Sequence, residues 1–168
     1  DQISGPTGAD GFTHLDEQGR ARMVDVAGKD VTHRRAVARA HITMQSETAR
    51  ALGDGTVAKG DVLAVARVAG IQAAKRTSEL IPLCHPLTLS SVAVDLMVGD
   101  SWVVVEATTE TVDRTGVEME ALVACSVAAL TVYDMCKARD RSMTVESLGL
   151  YQKSGGRSGE WRRDDHPT

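Results

Sequence analysis

Asp134 and Lys137 stand three residues apart near the end of a long apolar stretch, a spacing that on a helix sets a carboxylate beside an ammonium. Each group then holds the other charged, and the pair can pass a proton. An ordinary surface ion pair is the structural alternative. Glu120 lies fourteen residues earlier in the same stretch. On one helix it falls within roughly 40° of the face of Asp134 but about 21 Å away along the axis. The two carboxylates therefore cannot work on one atom as acid and base. They belong to opposite ends of a groove, or to sites completed by another subunit. Glu118 is about 200° around from Glu120 if both are helical, and acidic residues at a helix start also offset the macrodipole.

Other reactive types are scattered. Lys59 precedes Gly60-Asp61 at the entry of a helix, where backbone N–H groups favour anions; a solvated loop lysine is the alternative reading. Lys75-Arg76 at the far end of that helix suit its negative terminus. Cys84-His85 lie between two prolines, in a stretch expected to be extended. Neighbouring side chains there point to opposite faces, so a nucleophile–base pair is not expected. His85 alone can carry a proton or donate to a substrate. The run Lys153–Gly159 has the cations, hydroxyls and glycines of a phosphate cradle, but not the P-loop order, and a loose tail competes with that reading. No cluster has metal-ligand spacing. The expectation is no metal and no cofactor, with Mg²⁺ able to arrive on a phosphate substrate.

The elements that must position these residues follow from hydropathy periodicity. Residues 1–19 lack it and read as a loose arm. Alternation over Arg34–Met44 predicts a strand with Ala36, Ala38, Ala40 and Ile42 inward. Arg34 shares that parity, so its guanidinium needs a carboxylate or a phosphate. Short and longer helices are expected over Ser46–Leu52 and from an Asp61 N-cap to about Arg76, the latter burying Val62, Ala66, Ala69 and Ala73. Strands follow over Thr88–Val98 and Trp102–Val112, then a helix over Val117–Ala138 and a strand over Met143–Tyr151. The order β-α-α-β-β-α-β predicts one α+β domain, a ferredoxin-like sandwich with helices packed on one face of an antiparallel sheet.

The 168 residues carry 19 Lys+Arg against 23 Asp+Glu, a net charge of −4, and only five aromatic rings. That composition argues against nucleic acid as a partner, because such proteins present a basic footprint and stacking platforms. The run Ala121–Tyr133 reaches about 20 Å as a helix, short of a bilayer core, so no membrane role is expected. Three cysteines without paired spacing suit a reducing, cytoplasmic setting.

Taken together, several segments resemble one family. They are Met23-Val24-Asp25-Val26, Lys59-Gly60-Asp61-Val62, Ala69–Thr77 (AGIQAAKRT), Leu80–Leu87 (LIPLCHPL), Thr115–Leu122 (TGVEMEAL), Tyr133–Ala138 (YDMCKA) and Lys153-Ser154-Gly155-Gly156. In this order they are similar to the MoaC family, the cyclic pyranopterin monophosphate synthases of molybdenum cofactor biosynthesis. The resemblance covers about residues 12–159, leaving 1–11 as a flexible arm and 160–168 as a C-terminal tail. It implies a lyase acting on 3′,8-cyclo-7,8-dihydroguanosine triphosphate, which yields a pyranopterin with a cyclic phosphate and releases diphosphate. It also implies a homohexamer, a trimer of dimers with sites at the dimer interface. On the same basis Asp134, Lys59 and Lys137 are implied as catalytic. Leu83, Cys84, His85, Met119, Glu120, Glu118, Arg34, Lys75 and Lys153 are implied to contact substrate. A nucleotide-sensing module without catalysis is the competing class, and diphosphate release separates the two.

Overall fold

The structure is a computed structural model and describes residues 14–164; the arm expected over 1–11 and the last four residues of the expected tail lie outside them. The elements are β1 (Thr32–Thr43), α1 (Ser46–Gly53), α2 (Val62–Lys75), α3 (Thr77–Leu80), β2 (Ser91–Val98), β3 (Trp102–Asp113), α4 (Glu118–Cys136), β4 (Thr144–Ser154) and β5 (Trp161–Arg162). The strands form one sheet in the order β2-β3-β1-β4-β5, and every pairing is antiparallel. The α+β class with an antiparallel sheet is borne out.

Strand parity decides which face is buried. Ala36, Ala38, Ala40 and Ile42 of β1 lie opposite Thr109, Ala107, Val105 and Val103 of β3, and all eight are buried. Against this face packs α4, with Ala121, Ala124, Cys125, Ala128 and Val132 fully buried. The many alanines let backbones approach closely. At Gly70 of α2 an added Cβ would sit 2.9 Å from the Ala124 carbonyl oxygen of α4. The residues of α2 that pack are Val62, Ala66, Gly70, Ala73 and Ala74. Gly70 thus takes the inner place expected of Ala69, because contact this tight excludes a side chain. Although α4 is long and apolar enough to cross a membrane by composition, its alanine face is the core of this domain.

Two buried threonines tie the site's elements to the sheet. Thr109 donates its hydroxyl to the Val117 carbonyl at 2.9 Å, clamping the start of α4 to β3. Thr111 likewise donates to the Thr88 carbonyl at 2.6 Å, holding the segment that leads into β2. At the other end of α4, Asp140 is buried. It accepts from the Gln45 N–H at 2.8 Å, the Thr48 hydroxyl at 3.2 Å and the Ser142 N–H and hydroxyl. Burial pushes this carboxyl up, but those hydrogen bonds outweigh it and hold the group below its ordinary value.

Three local expectations are corrected. The proline-flanked stretch is not extended throughout: Leu80 ends α3, and the Cys84 N–H closes a turn onto the Ile81 carbonyl at 3.1 Å. The strand expected to end at Tyr151 runs on to Ser154, because β1 still offers Arg35, Ala36 and Val37 as partners. Along the way β4 takes two register shifts against β1, and Ser147 adopts a positive φ of 52° in the first of them. Within the segment read as a tail, Trp161 and Arg162 pair with Lys153 and Gln152.

Candidate functional site

The C-terminal end of α4 holds the first group. Lys137 is the C-cap residue and approaches Asp134 at 2.8 Å, while Lys59 approaches the same carboxylate at 3.2 Å. Lys59 also donates to the Asp134 backbone carbonyl at 3.0 Å, one of the acceptors a helix end leaves without an internal partner. A carboxylate at this end of a helix opposes the macrodipole, and two ammonium groups reverse that disadvantage. They hold the Asp134 carboxyl below the usual carboxylate range, through the hydrogen bond from Lys137 first and that from Lys59 second. Lys59 reaches it from the turn in which Gly60, at φ 105°, donates its N–H to the Val57 carbonyl. Asp61 then caps α2 by accepting from the Ala64 N–H at 3.0 Å. The anion preference expected near Lys59 is thus met inside the chain by Asp134, which remains 57% exposed.

The N-terminal end of α4 holds the second group. A cavity of about 230 Å³ is lined by Leu83, Cys84, His85, Glu118, Met119 and Glu120, together with His14, Val24, Val26, Lys29, Thr115 and Gly116. Glu120 is only 4% exposed, and its Oε2 has no hydrogen-bond partner among the described residues. Burial, reinforced by the neighbouring Glu118 charge, pushes its pKa up to about 7, so near neutrality it both donates and accepts protons. Gly116 has no side chain because the Glu118 carboxylate folds back over its Cα.

Cys84 and His85 line the same cavity, contrary to the expectation of opposite faces, because the Ile81–Cys84 turn replaces the extended chain assumed there. No hydrogen bond joins them. Burial, then the Glu120 charge, pushes the Cys84 thiol up, which disfavours a thiolate nucleophile.

Beside this cavity opens another of about 420 Å³, lined by Lys29, Asp30, Thr32, Arg34, Gly116, Glu118, Gly156, Arg157 and Ser158. Arg34 needs neither carboxylate nor phosphate to be satisfied. Its Nε donates to the Asp113 carbonyl at 2.9 Å and its Nη2 to the Arg114 carbonyl at 3.1 Å. Gly156, at φ 74°, lets the chain pass over its guanidinium. Lys153 donates to the Ser158 hydroxyl and, at 3.4 Å, to the Gly155 carbonyl, so the glycine-rich run is folded against β1 and the cavity wall. Lys75 sits exposed in the last turn of α2 and lines neither cavity.

A larger concavity of about 1020 Å³ lies on the sheet face turned away from the helices. Most of its charged side chains are spent on one another, Arg39 with Glu106 at 2.7 Å and His41 with Glu146 at 3.4 Å, and Asp95 alone has no ion pair among the described residues. Size alone does not make it the site. A carboxyl pushed up by burial and one held down by two ammonium groups stand at the two ends of α4.

Comparison with known proteins gives these residues a context. Residues 23–156 match the MoaC family. A cyclic pyranopterin monophosphate synthase of Thermomicrobium roseum is 63% identical over 156 residues, covering 92% of this chain and 94% of that protein. The synthase of Roseiflexus sp. strain RS-1 is 62% identical, with 91% and 98% covered. Cyclic pyranopterin monophosphate synthase 3 of Mycobacterium bovis is 60% identical, with 92% and 88% covered. The chain belongs to the MoaC family.

For this MoaC chain, reasoning from the sequence brought Glu118, Glu120, Cys84 and His85 to attention separately, and the fold joins them. His14, Lys29 and Thr32 carry no such signal in the sequence reading. Val24, Val26 and Thr115 are signalled only as parts of motifs, and Arg157 and Ser158 only within the glycine-rich run Lys153–Gly159. Thr32 comes nearest to a signal, since it shares the strand parity of Arg34 and lies opposite Asp113, at the sheet's end.

Proposed function

We propose that this chain catalyses the cyclic pyranopterin monophosphate synthase reaction. It converts 3′,8-cyclo-7,8-dihydroguanosine triphosphate into cyclic pyranopterin monophosphate and releases diphosphate. The observation that carries this reading is the Lys59–Asp134–Lys137 group: one exposed carboxylate held ionised by two ammonium groups, in a chain so similar to synthases over nine-tenths of its length. Closing the cyclic phosphate forms a P–O bond from a substrate hydroxyl to the α-phosphorus and breaks the bond to the β-phosphate. The hydroxyl proton must leave and the diphosphate oxygen must be neutralised. Lys59 and Lys137 are the groups suited to move those protons, while Asp134 orients both and tunes their basicity. Glu120 and Glu118 grip the edge of the base, with Leu83, Cys84, His85 and Met119 around it. Arg34 and Lys153 hold phosphates, and Lys75 acts at longer range. No resident cofactor enters, and Mg²⁺ comes only as a companion of the triphosphate.

Because the two groups are about 21 Å apart along one helix, the reading includes assembly. Chains form a homohexamer, a trimer of dimers. The Lys59–Asp134–Lys137 group of one protomer faces the Glu120 cavity of its partner across the dimer interface. The setting is cytoplasmic, in keeping with three free cysteines, two of them buried.

Asp134→Asn keeps the side-chain shape and removes the charge that orders both lysines. Diphosphate release, followed with pyrophosphatase and a phosphate dye, should fall by roughly 10²- to 10⁴-fold. Substrate affinity should stay nearly unchanged. Full activity in this variant would take Asp134 out of the mechanism. Tight nucleotide binding by the unaltered protein without diphosphate release would favour the sensing module instead.

A further inference from the structure

The two lysines that meet at Asp134 arrive on separate segments, Lys137 at the end of α4 and Lys59 on the turn that follows α1. One buried side chain joins those segments. Asp140, three residues beyond Lys137, is 2% exposed and divides its two carboxylate oxygens between them. Its Oδ2 accepts from the Gln45 N–H at 2.8 Å and the Thr48 hydroxyl at 3.2 Å, both at the start of α1. Its Oδ1 accepts from the Ser142 N–H at 3.0 Å and the Ser142 hydroxyl at 2.6 Å, within its own turn. The Asp140 N–H donates to the Cys136 carbonyl at 3.0 Å, fastening the carboxylate to the last residue of α4. Gln45 is the N-cap of α1 and has no side-chain cap bond of its own, so Asp140, 95 positions away, gives what a capping-box carboxylate would give. A serine or asparagine at position 45 would cap α1 locally, without burying a charge. Asp140 has no ion pair among the described residues to offset that burial. The remote carboxylate does what a local cap cannot: it fixes where α1 stands relative to the end of α4. From α1 the chain is tied turn by turn to Lys59. The Asp54 and Thr56 N–H groups bond the Arg50 and Ala51 carbonyls, Val57 packs against the core, and the Gly60 N–H bonds the Val57 carbonyl.

We propose that Asp140 is a positioning residue for the synthase reaction: by clamping α1 to the turn after α4, it sets Lys59 against one oxygen of Asp134 and Lys137 against the other. This rests on the reading of those lysines as the proton-moving groups, and it adds a residue that acts only through them. An asparagine cannot take its place. Four donors converge on the carboxylate, whereas an amide offers one acceptor oxygen and brings two N–H donors of its own. One half of the clamp must open in Asp140→Asn, and a lysine then leaves the geometry in which its proton can move.

The test compares diphosphate release, thermal unfolding and amine labelling of the full chain in the unaltered protein, Asp140→Asn, Thr48→Val and Thr48→Ser. Asp140→Asn should lower kcat roughly 10- to 100-fold while KM stays within about twofold. The Thr48 pair separates positioning from stability, and it decides the outcome if Asp140→Asn does not fold. Valine fills the buried Thr48 site but takes a donor from the clamp, so kcat should fall roughly three- to tenfold. Serine loses a methyl group and some stability with it, yet keeps the donor and should keep kcat. Native kcat in folded Asp140→Asn or in Thr48→Val, a rise in KM at constant kcat, or a kcat that follows Tm across the Thr48 pair would each overturn the proposal. Labelling needs no turnover. Acetic anhydride modification of Lys59, read by mass spectrometry against the exposed Lys75, should speed up severalfold when the clamp opens. If the unaltered protein releases no diphosphate, the synthase reading falls. Faster Lys59 labelling in Thr48→Val than in Thr48→Ser would then still uphold the clamp, and equal labelling would overturn it.

Discussion

Glu120 is a carboxyl whose burial works against its charge. Its native pKa of about 7 stands well above the ordinary 4.5, so between those values the folded chain holds a proton that the unfolded chain releases. Stability from this group therefore falls as pH rises across that window and is level beyond it. Glu120→Gln removes the penalty. Relative to the unaltered protein, the variant should gain stability from pH 4.5 to pH 8, approaching about 3 kcal/mol. Urea unfolding at both pH values measures this, and a pH-independent difference would show that Glu120 titrates normally. Asp134 is the opposite case: Lys137 and Lys59 hold its carboxyl below the ordinary value, so it stays charged through the range in which Glu120 takes up a proton. Helical spacing placed them on one face at opposite ends. It did not show which one is buried, since that depends on segments distant in sequence, Val24–Lys29 and Leu83–His85, gathering around Glu120 alone.

At the scale of elements, periodicity made seven of the nine legible to within about three residues: β1, α1, α2, β2, β3, α4 and the start of β4. Alternation in β1 and β3 is clear because one sheet face is buried and the other is polar. What escaped had no periodic signal. The helix α3 is a single turn, β5 is two residues long, and the bulges of β4 break the very alternation by which strands are recognised. Polar residues with structural tasks also escaped: Thr109, Thr111 and Asp140 act through partners distant in sequence. The α2–α4 contact was read one residue off for a related reason, since a glycine carries no hydropathy signal. Gly70→Ala adds helix propensity but drives a Cβ against the Ala124 carbonyl, which belongs to backbone and cannot swing away. A net loss of about 1–2 kcal/mol is expected, seen as a fall of roughly 2–8 °C in Tm. An unchanged or raised Tm would mean that the helices part without cost.

At the scale of the whole molecule, a single chain holds two groups of reactive residues at opposite ends of α4, and it leaves Val65, Val68 and Leu130 more than 45% exposed on its helices. Sharing between protomers then has a direct test. Asp134→Asn damages one group and Arg34→Ala the other, so each homogeneous variant should be inactive. Protein co-assembled from equal amounts of the two should recover roughly a quarter of the native site number. Mixed assemblies without recovered diphosphate release would place both groups in one chain's own site. The composition fits such a partnership: a ring-poor, alanine-rich chain builds thin, close-packed layers. The bulges of β4 have a consequence for how such a chain tolerates change. Val145 lies opposite Ile42, Leu150 opposite Ala38 and Lys153 opposite Ala36, so each shift flips the inward parity and the second restores it. The strand therefore reaches Arg34 with the right residue facing the helices only because its length includes both extra residues. An insertion or deletion of one residue between Val145 and Lys153 would put Gln152 or Ser154 in the place of Lys153 opposite Ala36, where Lys153 holds the glycine-rich run, without replacing a single site residue. Length in β4 is thus constrained as tightly as chemistry is at its end.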